Sequence, residues 1–313
     1  MKFTLRQLQY FKALADHRNF GRAARACHVS QPALSVQIRA LEEAMGGRLA
    51  ERHARDVVLT PLGRDVLAVA QEVLGAADRL DRLARDRSGG RRSLSLGLIP
   101  TMAPYLLPGV LAALCGSDLS LRVRVREART ERLLEALRAG EVDAAVLALP
   151  AGGTDLAEFP LFEDRFLLAG SRERLAALAA GPETLRPTDL KPAQLMLLED
   201  GHCLTDQALE VCGQDRSGAG INMGASSLAT LSRLVAEGFG LTLMPELAAR
   251  SESRGVAGMT LLRFPAPEPF RTVGLVLRAS SRGEDWAGGL AQAIRVVGEE
   301  IVRDCRERIT DLP

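Results

Sequence analysis

The sequence predicts three segments in succession: a mainly helical one that ends in a β-hairpin, one long helix, and an α/β segment. Three patterns support this division. Apolar residues recur at helical spacing in the first sixty positions, they follow a heptad register in the next thirty, and strand and helix patterns alternate from there on. We therefore divide the 313 residues into segments 1–60, 61–90 and 91–313.

The composition is that of a globular protein, with 47% hydrophobic and 25% charged residues. The net charge of +1 conceals an uneven distribution. Residues 1–60 hold ten Lys or Arg against five acids, whereas residues 61–313 hold thirty against thirty-four. The local basic excess indicates a polyanionic partner for the first segment.

Segment 1–60 has the spacing of a helix-turn-helix. Apolar residues at positions 5, 8, 11 and 14 predict one helix, and two more helical runs separated by a turn follow it. Ser30 is well placed to cap the last run, which has Pro32 in its first turn and continues through Val36 and Ile38. Two glycines then end it, and residues 49–59 predict a hairpin. We therefore expect a winged helix-turn-helix, all-α except for its β wing.

The outer face of the last helix indicates DNA binding. Gln31, Ser35 and Arg39 share that face, and such side chains suit hydrogen bonds to base edges in the major groove. The arginines of the hairpin suit phosphate or minor-groove contacts instead, and include Arg48 and Arg55. The candidate DNA-binding residues are Gln31, Pro32, Ser35, Arg39 and Arg52. The alternative is a generic helical hairpin with a solvated basic face.

Residues 61–90 predict a linker helix and a hinge. Thr60 is the expected N-cap and Pro61 the first helical residue. A stripe in heptad register indicates a coiled-coil seam, and hence a homodimer formed through residues 61–87. The stripe consists of Leu62, Val66, Val69, Val73, Ala76, Leu80 and Leu83. Packing of the helix against its own chain is the alternative. The segment Ser88-Gly89-Gly90-Arg91-Arg92 is the predicted hinge.

Segment 91–313 predicts an α/β domain with largely parallel sheets. The expected strands are 94–99, 121–125, 144–148, 166–169, 195–198, 241–244 and 272–277, and the expected helices are 103–114, 131–139, 228–237 and 285–306. Effector sites in such folds lie at the carboxyl ends of strands and at helix N-termini. Thr101 and the pair Ser226-Ser227 occupy such places, although each could equally be an ordinary N-cap.

Cys203 and Cys212 are nine residues apart in a stretch that Gly201 and Gly213 delimit. The stretch predicts a short helix that ends at Cys212, with Gly213 just beyond. Nine helical residues would place the thiols on opposite faces, about 13 Å apart along the axis. A disulfide needs Cα atoms only about 4.4–6.8 Å apart. The two cysteines could therefore be joined only if this stretch refolds.

The N-terminus lacks the apolar core of a signal peptide, and no window approaches 18 apolar residues in a row. We therefore expect a cytoplasmic protein without a membrane partner. The five cysteines are then expected to be free thiols, and only the environment of Cys203 and Cys212 suggests reactivity. No metal site and no cofactor are expected, because the chain has only four histidines and no second ligand pair at metal spacing.

Along its whole length the sequence resembles a LysR-type transcriptional regulator. Within that family it is most similar to the peroxide-sensing members, on the stretches GLIPT at 97–101 with PYLLP at 104–108, LEDGHC at 198–203 with DQ at 206–207, and RTVGLV at 271–276. The resemblance implies a periplasmic-binding-like regulatory domain of two α/β subdomains, the second inserted at about 165–268. It also implies a homodimer that assembles further into a homotetramer.

The resemblance also implies roles for residues. Cys203 resembles the thiol that attacks peroxide, and Cys212 the thiol that resolves the product into a disulfide. A helix N-terminus and a nearby arginine are expected to favour the thiolate of Cys203. Residues that match the peroxide pocket are Thr101, Thr130, His202, Asp206 and Arg271. The implied partners are promoter DNA, RNA polymerase, hydrogen peroxide and cellular thiol reductants, and no enzyme activity is implied.

Two other functions remain open at this stage. The first is a LysR-type regulator that binds a small metabolite between its subdomains, with incidental cysteines. The second is a transport protein or enzyme with a periplasmic-binding-like fold, which would require a signal peptide or a catalytic constellation. The sequence carries neither feature, and the helix-turn-helix argues against the second function.

Overall fold

The computed structural model describes residues 2–52, 56–87, 93–117, 122–179, 185–191, 194–199, 201–214, 225–254 and 256–309. The predicted hinge at 88–92, Arg55 and the first residue of the strand expected at 121–125 lie outside these ranges, as do the side chains of Arg52 and Leu83. The chain divides into two compact units, residues 1–91 with 138–141, and residues 92–137 with 142–313.

The first unit contains four helices and one hairpin among its described residues: α1 (Leu5–His17), α2 (Phe20–Ala26), α3 (Gln31–Met45), β1 (Ala50–Arg52), β2 (Val57–Leu59) and α4 (Pro61–Arg87). The helix starts follow from capping side chains. The Asn19 side chain accepts the Arg22 N–H, and the Ser30 hydroxyl accepts the Ala33 N–H, as predicted. Gly46, with φ +75°, ends α3 in the left-handed conformation.

Helix α4 packs against the core of its own unit on one side. Ala70 and Leu74 are buried there together with Phe11 and Leu14 of α1. Its start is fixed by Thr60, whose hydroxyl accepts the Gly63 N–H at 2.9 Å. The other side of α4 exposes a stripe of large apolar residues, Leu62, Val69, Val73 and Leu80, all of them members of the predicted heptad seam.

Val36 is an exposed apolar residue of α3. The predicted helix continues through this position, and its side chain is 61% exposed. The buried side of α3 is formed by Leu34, Ile38 and Leu41, at spacings of four and three residues. Val36 lies half a turn away from that stripe and therefore shares the outer face.

The second unit is an α/β domain around a seven-stranded sheet with the order β4-β3-β5-β9-β6-β7, and β8 pairs with β6. Its strands are β3 (Ser93–Leu98), β4 (Arg122–Glu127), β5 (Ala144–Leu149), β6 (Leu156–Ser171), β7 (Thr242–Pro245), β8 (Met259–Arg263) and β9 (Phe270–Arg278). Its helices are α5 (Ala103–Ser117), α6 (Thr130–Arg138), α7 (Arg172–Ala179), α8 (Cys203–Val211), α9 (Leu228–Ala236), α10 (Glu246–Arg254) and α11 (Asp285–Arg308).

The expectation of largely parallel sheets was wrong. Among the strands named above, β3 pairs in parallel with β4 and β5, whereas the pairings β5–β9, β6–β9, β6–β7 and β6–β8 are antiparallel. The cause is topological. The chain leaves the first half of the sheet along the 16-residue strand β6 and returns beside it along β9, so the two strands run in opposite directions.

Some elements were also missed or misplaced. The first ten residues of β6, the strand β8 and the helices α7 and α10 were not expected. The strand expected at 195–198 exists only as two isolated bridges, from Leu195 to Leu241 and from Leu198 to Ala225. Within the described residues, no helix is both long and apolar enough to cross a membrane.

Two separate hydrophobic cores fill the second unit. The first core is built around Leu96, Val146 and Leu275, between the β3–β5–β9 part of the sheet and helices α5, α6 and α11. The second core is built around Phe166 and Leu243, and the inner side of α8 contributes to it. Strand β6 runs from one core into the other, since Leu156 lies in the first and Phe166 in the second.

Candidate functional site

Helix α8 forms as predicted, from Cys203 to Val211, with Cys212 as its C-cap. Gly213 follows with φ +61°, in the left-handed conformation that favours glycine. The Gly213 N–H donates to the Glu210 carbonyl at 3.0 Å, and the Gln214 N–H donates to the Leu209 carbonyl at 2.9 Å. This pair of bonds is a Schellman motif, which closes the C-terminal end of α8 tightly.

The thiols of Cys203 and Cys212 are free, and they belong to different environments. Cys203 is partly buried and packs against the first core. Cys212 is buried in the second core, on the same side of α8 as Leu204 and Ala208. The helix between them therefore carries one thiol to each core, and nine residues of α-helix correspond to about 13 Å along its axis.

The environment of Cys203 changes one expectation. Burial raises the pKa of its thiol above the ordinary value, although the Arg271 charge, the Thr130 hydroxyl and the Leu204 N–H lower it. The Asp206 charge raises it further. The nearby cation and the helix N-terminus act in the predicted direction, but desolvation outweighs them. The resting thiol is thus less acidic than we expected.

Arg271 is held in place by two neighbours. Its Nε donates to Asp164 Oδ2 at 2.9 Å, and its Nη2 lies 2.8 Å from the same oxygen. On the opposite side, Nη1 donates to the Thr101 hydroxyl at 3.2 Å and Nη2 to the Thr101 carbonyl at 3.4 Å. All three side chains are at most 2% exposed. Thr101 is thus bonded to the arginine, at the end of β3 that sequence reasoning indicated.

The other candidate pocket residues differ in their surroundings. Thr130 is the first residue of α6, and its buried hydroxyl faces the Cys203 thiol, whose pKa it lowers by hydrogen bonding. Asp206 is exposed on the first turn of α8. His202 is buried, and its pKa is lowered by burial and by the Arg129 charge.

Thr130, Asp206 and Arg271 thus all affect the pKa of Cys203. Thr101 is bonded to Arg271 and acts through it. His202 precedes Cys203 directly, but the charges that act on it are those of Arg129 and Glu199. Of the alternative effector positions, Ser227 is an ordinary N-cap of α9, because its hydroxyl accepts the Thr230 N–H at 3.2 Å.

Two features of the site were not found from the sequence. Asp164 was missed because the first part of β6 was not predicted, and without that strand its register opposite Arg271 is invisible. The ion pair of Arg129 with Glu199, 2.8 Å between Nη2 and Oε1, was missed because the two residues are far apart in sequence. It lies across Gly201, where a Cβ atom would come within 2.7 Å of Arg129 Nη1.

On the first unit, the outer face of α3 carries most of the candidate DNA-binding residues. Gln31, Pro32 and Arg39 are exposed, and Ser35 is half-buried. Arg52 belongs to β1, which pairs with β2 in antiparallel fashion. The exposed Val36 joins this face.

Comparison with known proteins decides the family. Residues 5–64 match the bacterial regulatory helix-turn-helix protein family, lysR type, and residues 87–295 match the LysR substrate binding domain. The chain belongs to the LysR family.

Two relatives narrow the assignment within that family to the OxyR group. The chain is 40% identical over 292 residues to the DNA-binding transcriptional dual regulator OxyR of Escherichia coli strain K12, with 93% of this chain and 94% of the relative covered. It is 42% identical over 285 residues to a probable hydrogen peroxide-inducible genes activator of Mycobacterium avium, with 90% of each covered.

Solved structures agree with this membership of the LysR family. A full-length OxyR variant from Pseudomonas aeruginosa matches with a TM-score of 0.71 at 34% identity, over 95% of this chain and 96% of that one. The oxidized form of OxyR from Corynebacterium glutamicum matches with a TM-score of 0.58 at 32% identity, over 100% and 99%. A hydrogen peroxide-bound mutant of that protein matches with a TM-score of 0.64 at 32% identity, over 99% and 98%.

Proposed function

We propose that this LysR-family chain is a peroxide-responsive transcriptional regulator that switches by forming a disulfide between Cys203 and Cys212. The observation that carries the proposal is the position of the two free thiols at opposite ends of α8, one against each core of the regulatory unit. The relative from Mycobacterium avium, a probable hydrogen peroxide-inducible genes activator, and the hydrogen peroxide-bound structure from Corynebacterium glutamicum support the choice of hydrogen peroxide as the oxidant.

The first step is attack of the Cys203 sulfur on one oxygen of hydrogen peroxide. The O–O bond breaks, the sulfur becomes a sulfenic acid, and the departing hydroxide takes up a proton to leave as water. In the second step the Cys212 sulfur attacks the sulfenic sulfur, and a second water leaves. Two thiols and one peroxide thus give one disulfide and two waters, and cellular thiol reductants reverse the change by exchange.

The residues around Cys203 have distinct roles in this proposal. Arg271 stabilises the thiolate that forms during attack, since its charge lowers the pKa of Cys203. The hydroxyls of Thr130 and Thr101, which lie beside Cys203 and Arg271 respectively, hold the peroxide oxygens. Asp206 and His202 are the proposed carriers of the proton between the thiol and the departing hydroxide. Because burial raises the pKa of the Cys203 thiol, loss of its proton is a step that these groups assist.

Formation of the disulfide must disrupt α8. The cross-link closes a loop of about ten residues, which contributes about 2.7 kcal/mol in the chain-entropy model. Against this gain, Cys212 leaves the second core and the Schellman motif opens. The burial of one side chain and the hydrogen bonds of one helix end are each of the order of 1–3 kcal/mol. The two sides are similar in size, which suits a reversible switch.

The first unit is the proposed DNA-binding part, with residues 1–60 as a winged helix-turn-helix. Gln31, Ser35 and Arg39 would read base edges in promoter DNA, Pro32 would lie beside them in the first turn of α3, and Arg52 would contact phosphates or the minor groove. The exposed apolar stripe of α4 supports a homodimer formed through residues 61–87, since a large exposed apolar stripe on one helix calls for a partner. Two helix-turn-helix units can then reach neighbouring half-sites.

In the same proposal, residues 91–313 form the regulatory domain, with a second subdomain at about 165–268. The second hydrophobic core supports this boundary, because all of its buried members except Cys305 come from residues 166 to 264. Refolding of α8 would change the assembly of a homotetramer and thereby its contacts with promoter DNA and RNA polymerase.

The experiment is DNase footprinting of a promoter fragment selected by the reduced chain, before and after peroxide. Wild type and Cys115→Ser, which removes an exposed cysteine, are expected to change their footprint, whereas Cys203→Ser keeps the reduced pattern. A Cys203→Ser chain that still responds fully would contradict the proposal and favour a regulator of the metabolite-binding kind.

A further inference from the structure

We propose that Asp164 is a positioning residue for the peroxide reaction, because it fixes the Arg271 guanidinium between Thr101 and Cys203. The inference rests on the proposed function and adds a residue that the sequence did not suggest. It follows from the hydrogen-bond geometry around Arg271.

The backbone brings the pair together. Asp164 of β6 and Arg271 of β9 are directly opposite each other in the antiparallel register of the two strands. Opposed residues of such strands have Cβ atoms about 4.5–5.5 Å apart, so an aspartate and an arginine can meet with little freedom. Both side chains are buried, with exposures of 0% and 2%.

Both oxygens of the Asp164 carboxylate are used. Oδ2 accepts from Nε of Arg271 and lies 2.8 Å from Nη2, and Oδ1 accepts the Leu247 N–H at 3.0 Å, at the start of α10. The carboxylate is therefore anchored on one side by a helix N-terminus and holds the edge of the guanidinium with the other. Among the described acceptors of Arg271, only this carboxylate carries a charge.

The geometry leaves one N–H of Arg271 free to act. A guanidinium has five N–H groups. Nε donates to Asp164 and Nη2 to the Thr101 carbonyl, with Nη2 also 2.8 Å from Asp164 Oδ2, whereas Nη1 makes a single bond, to the Thr101 hydroxyl. One N–H on Nη1 therefore has no acceptor among the described residues. That remaining donor is the one available for the Cys203 sulfur or for a peroxide oxygen. The direction in which this Nη1 N–H points depends on Asp164, because Asp164 holds the opposite edge of the guanidinium, formed by Nε and Nη2.

A misplacement of about 1 Å in a reacting geometry can cost about 100-fold in rate. Asp164→Ala removes the charged anchor, so we expect the reaction of Cys203 with peroxide to slow by about 10- to 100-fold. Alkylation of the same thiol by iodoacetamide needs no donor to a departing oxygen. Its limiting rate at high pH is therefore expected to stay within about twofold of wild type, since the thiolate itself is the nucleophile.

The test compares the limiting rates of sulfenic acid formation and of alkylation, at high pH, in full-length chains. The variants are Asp164→Ala, Asp164→Asn, and Asp164→Glu as the conservative replacement. Asn has a single acceptor oxygen, so it can serve either Arg271 or the Leu247 N–H but not both. Asp164→Asn should therefore lose peroxide reactivity selectively, and Asp164→Glu should recover most of it.

Should Asp164→Ala not fold, Asp164→Asn and Asp164→Glu decide. Wild-type peroxide rates in both Asp164→Ala and Asp164→Asn, or equal losses of peroxide and alkylation rates, would overturn the inference. A wild-type Cys203 that does not react with peroxide at all would instead sink the proposed function.

Discussion

Gly213 offers the sharpest test of the link between helix α8 and the redox switch. It is the residue after the C-cap, its φ is +61°, and it donates a bond of the Schellman motif that keeps Cys212 at the helix end. Among the described residues, a Cβ atom at this position would meet the Thr188 methyl carbon alone, at 3.8 Å. Gly213→Ala therefore introduces backbone strain with no steric clash.

The size of the effect follows from the left-handed conformation. An L-residue other than glycine pays about 1–2 kcal/mol there. The strain acts on the reduced form, in which α8 is intact, and is released in the proposed disulfide form. For a two-electron couple about 30 mV corresponds to 1.4 kcal/mol, so the reduction potential of the Cys203–Cys212 pair should become about 20–40 mV more negative.

The assay is equilibration of the full chain in thiol–disulfide buffers of known potential, with the reduced fraction counted by thiol labelling and mass spectrometry. Gly152→Ala is the matched control. Gly152 also has a left-handed φ, +76°, and an open environment, but it lies in the loop between β5 and β6. The Gly152→Ala substitution should strain both redox forms equally and leave the reduction potential of the Cys203–Cys212 pair unchanged. A Gly213→Ala potential equal to that of wild type, or less negative, would refute the reasoning.

Four further substitutions test other parts of the structure. Cys212→Ser should stop the reaction at the sulfenic acid of Cys203, which dimedone labelling would detect, whereas a disulfide in that variant would show that another cysteine resolves it. Burial raises the pKa of Cys203 while Arg271 lowers it, so Arg271→Gln should move the pH midpoint of Cys203 alkylation further upward; a midpoint that falls would show that the arginine does not act on this thiol. Leu74→Ala removes a buried contact of α4 and should destabilise the first unit by about 2–5 kcal/mol in chemical denaturation. Val69→Lys alters an exposed position of the same helix and should weaken dimerisation in sedimentation experiments while stability changes by less than about 0.5 kcal/mol.

The elements that the sequence predicts well are those with local signals. Ser30 and Gly46 mark the ends of α3, and Gly213 marks the end of α8, because capping depends on residues within one turn. The position of the two thiols at opposite ends of one helix could therefore be predicted before any tertiary structure was known.

The elements that could not be predicted depend on long-range contacts. The direction of β9 relative to β6 is set by the path of the chain between two cores, so periodicity could not reveal the antiparallel pairs. Asp164 has no sequence neighbour that marks it, since its partner Arg271 is 107 positions away. The acidity of Cys203 was misjudged for a similar reason. Local signals predict the helix terminus and the cation, whereas burial depends on the whole core.

The most direct measurement of the central claim is disulfide mapping of the full chain after graded peroxide. Tryptic sites are absent between the two cysteines, so a protease that cuts after Glu210 is needed to place Cys203 and Cys212 in separate peptides. We predict one cross-linked Cys203–Cys212 peptide pair per chain, which appears at micromolar peroxide and disappears on reduction. If Cys203 became oxidised but no Cys203–Cys212 peptide pair appeared at any peroxide concentration, the switch would be contradicted.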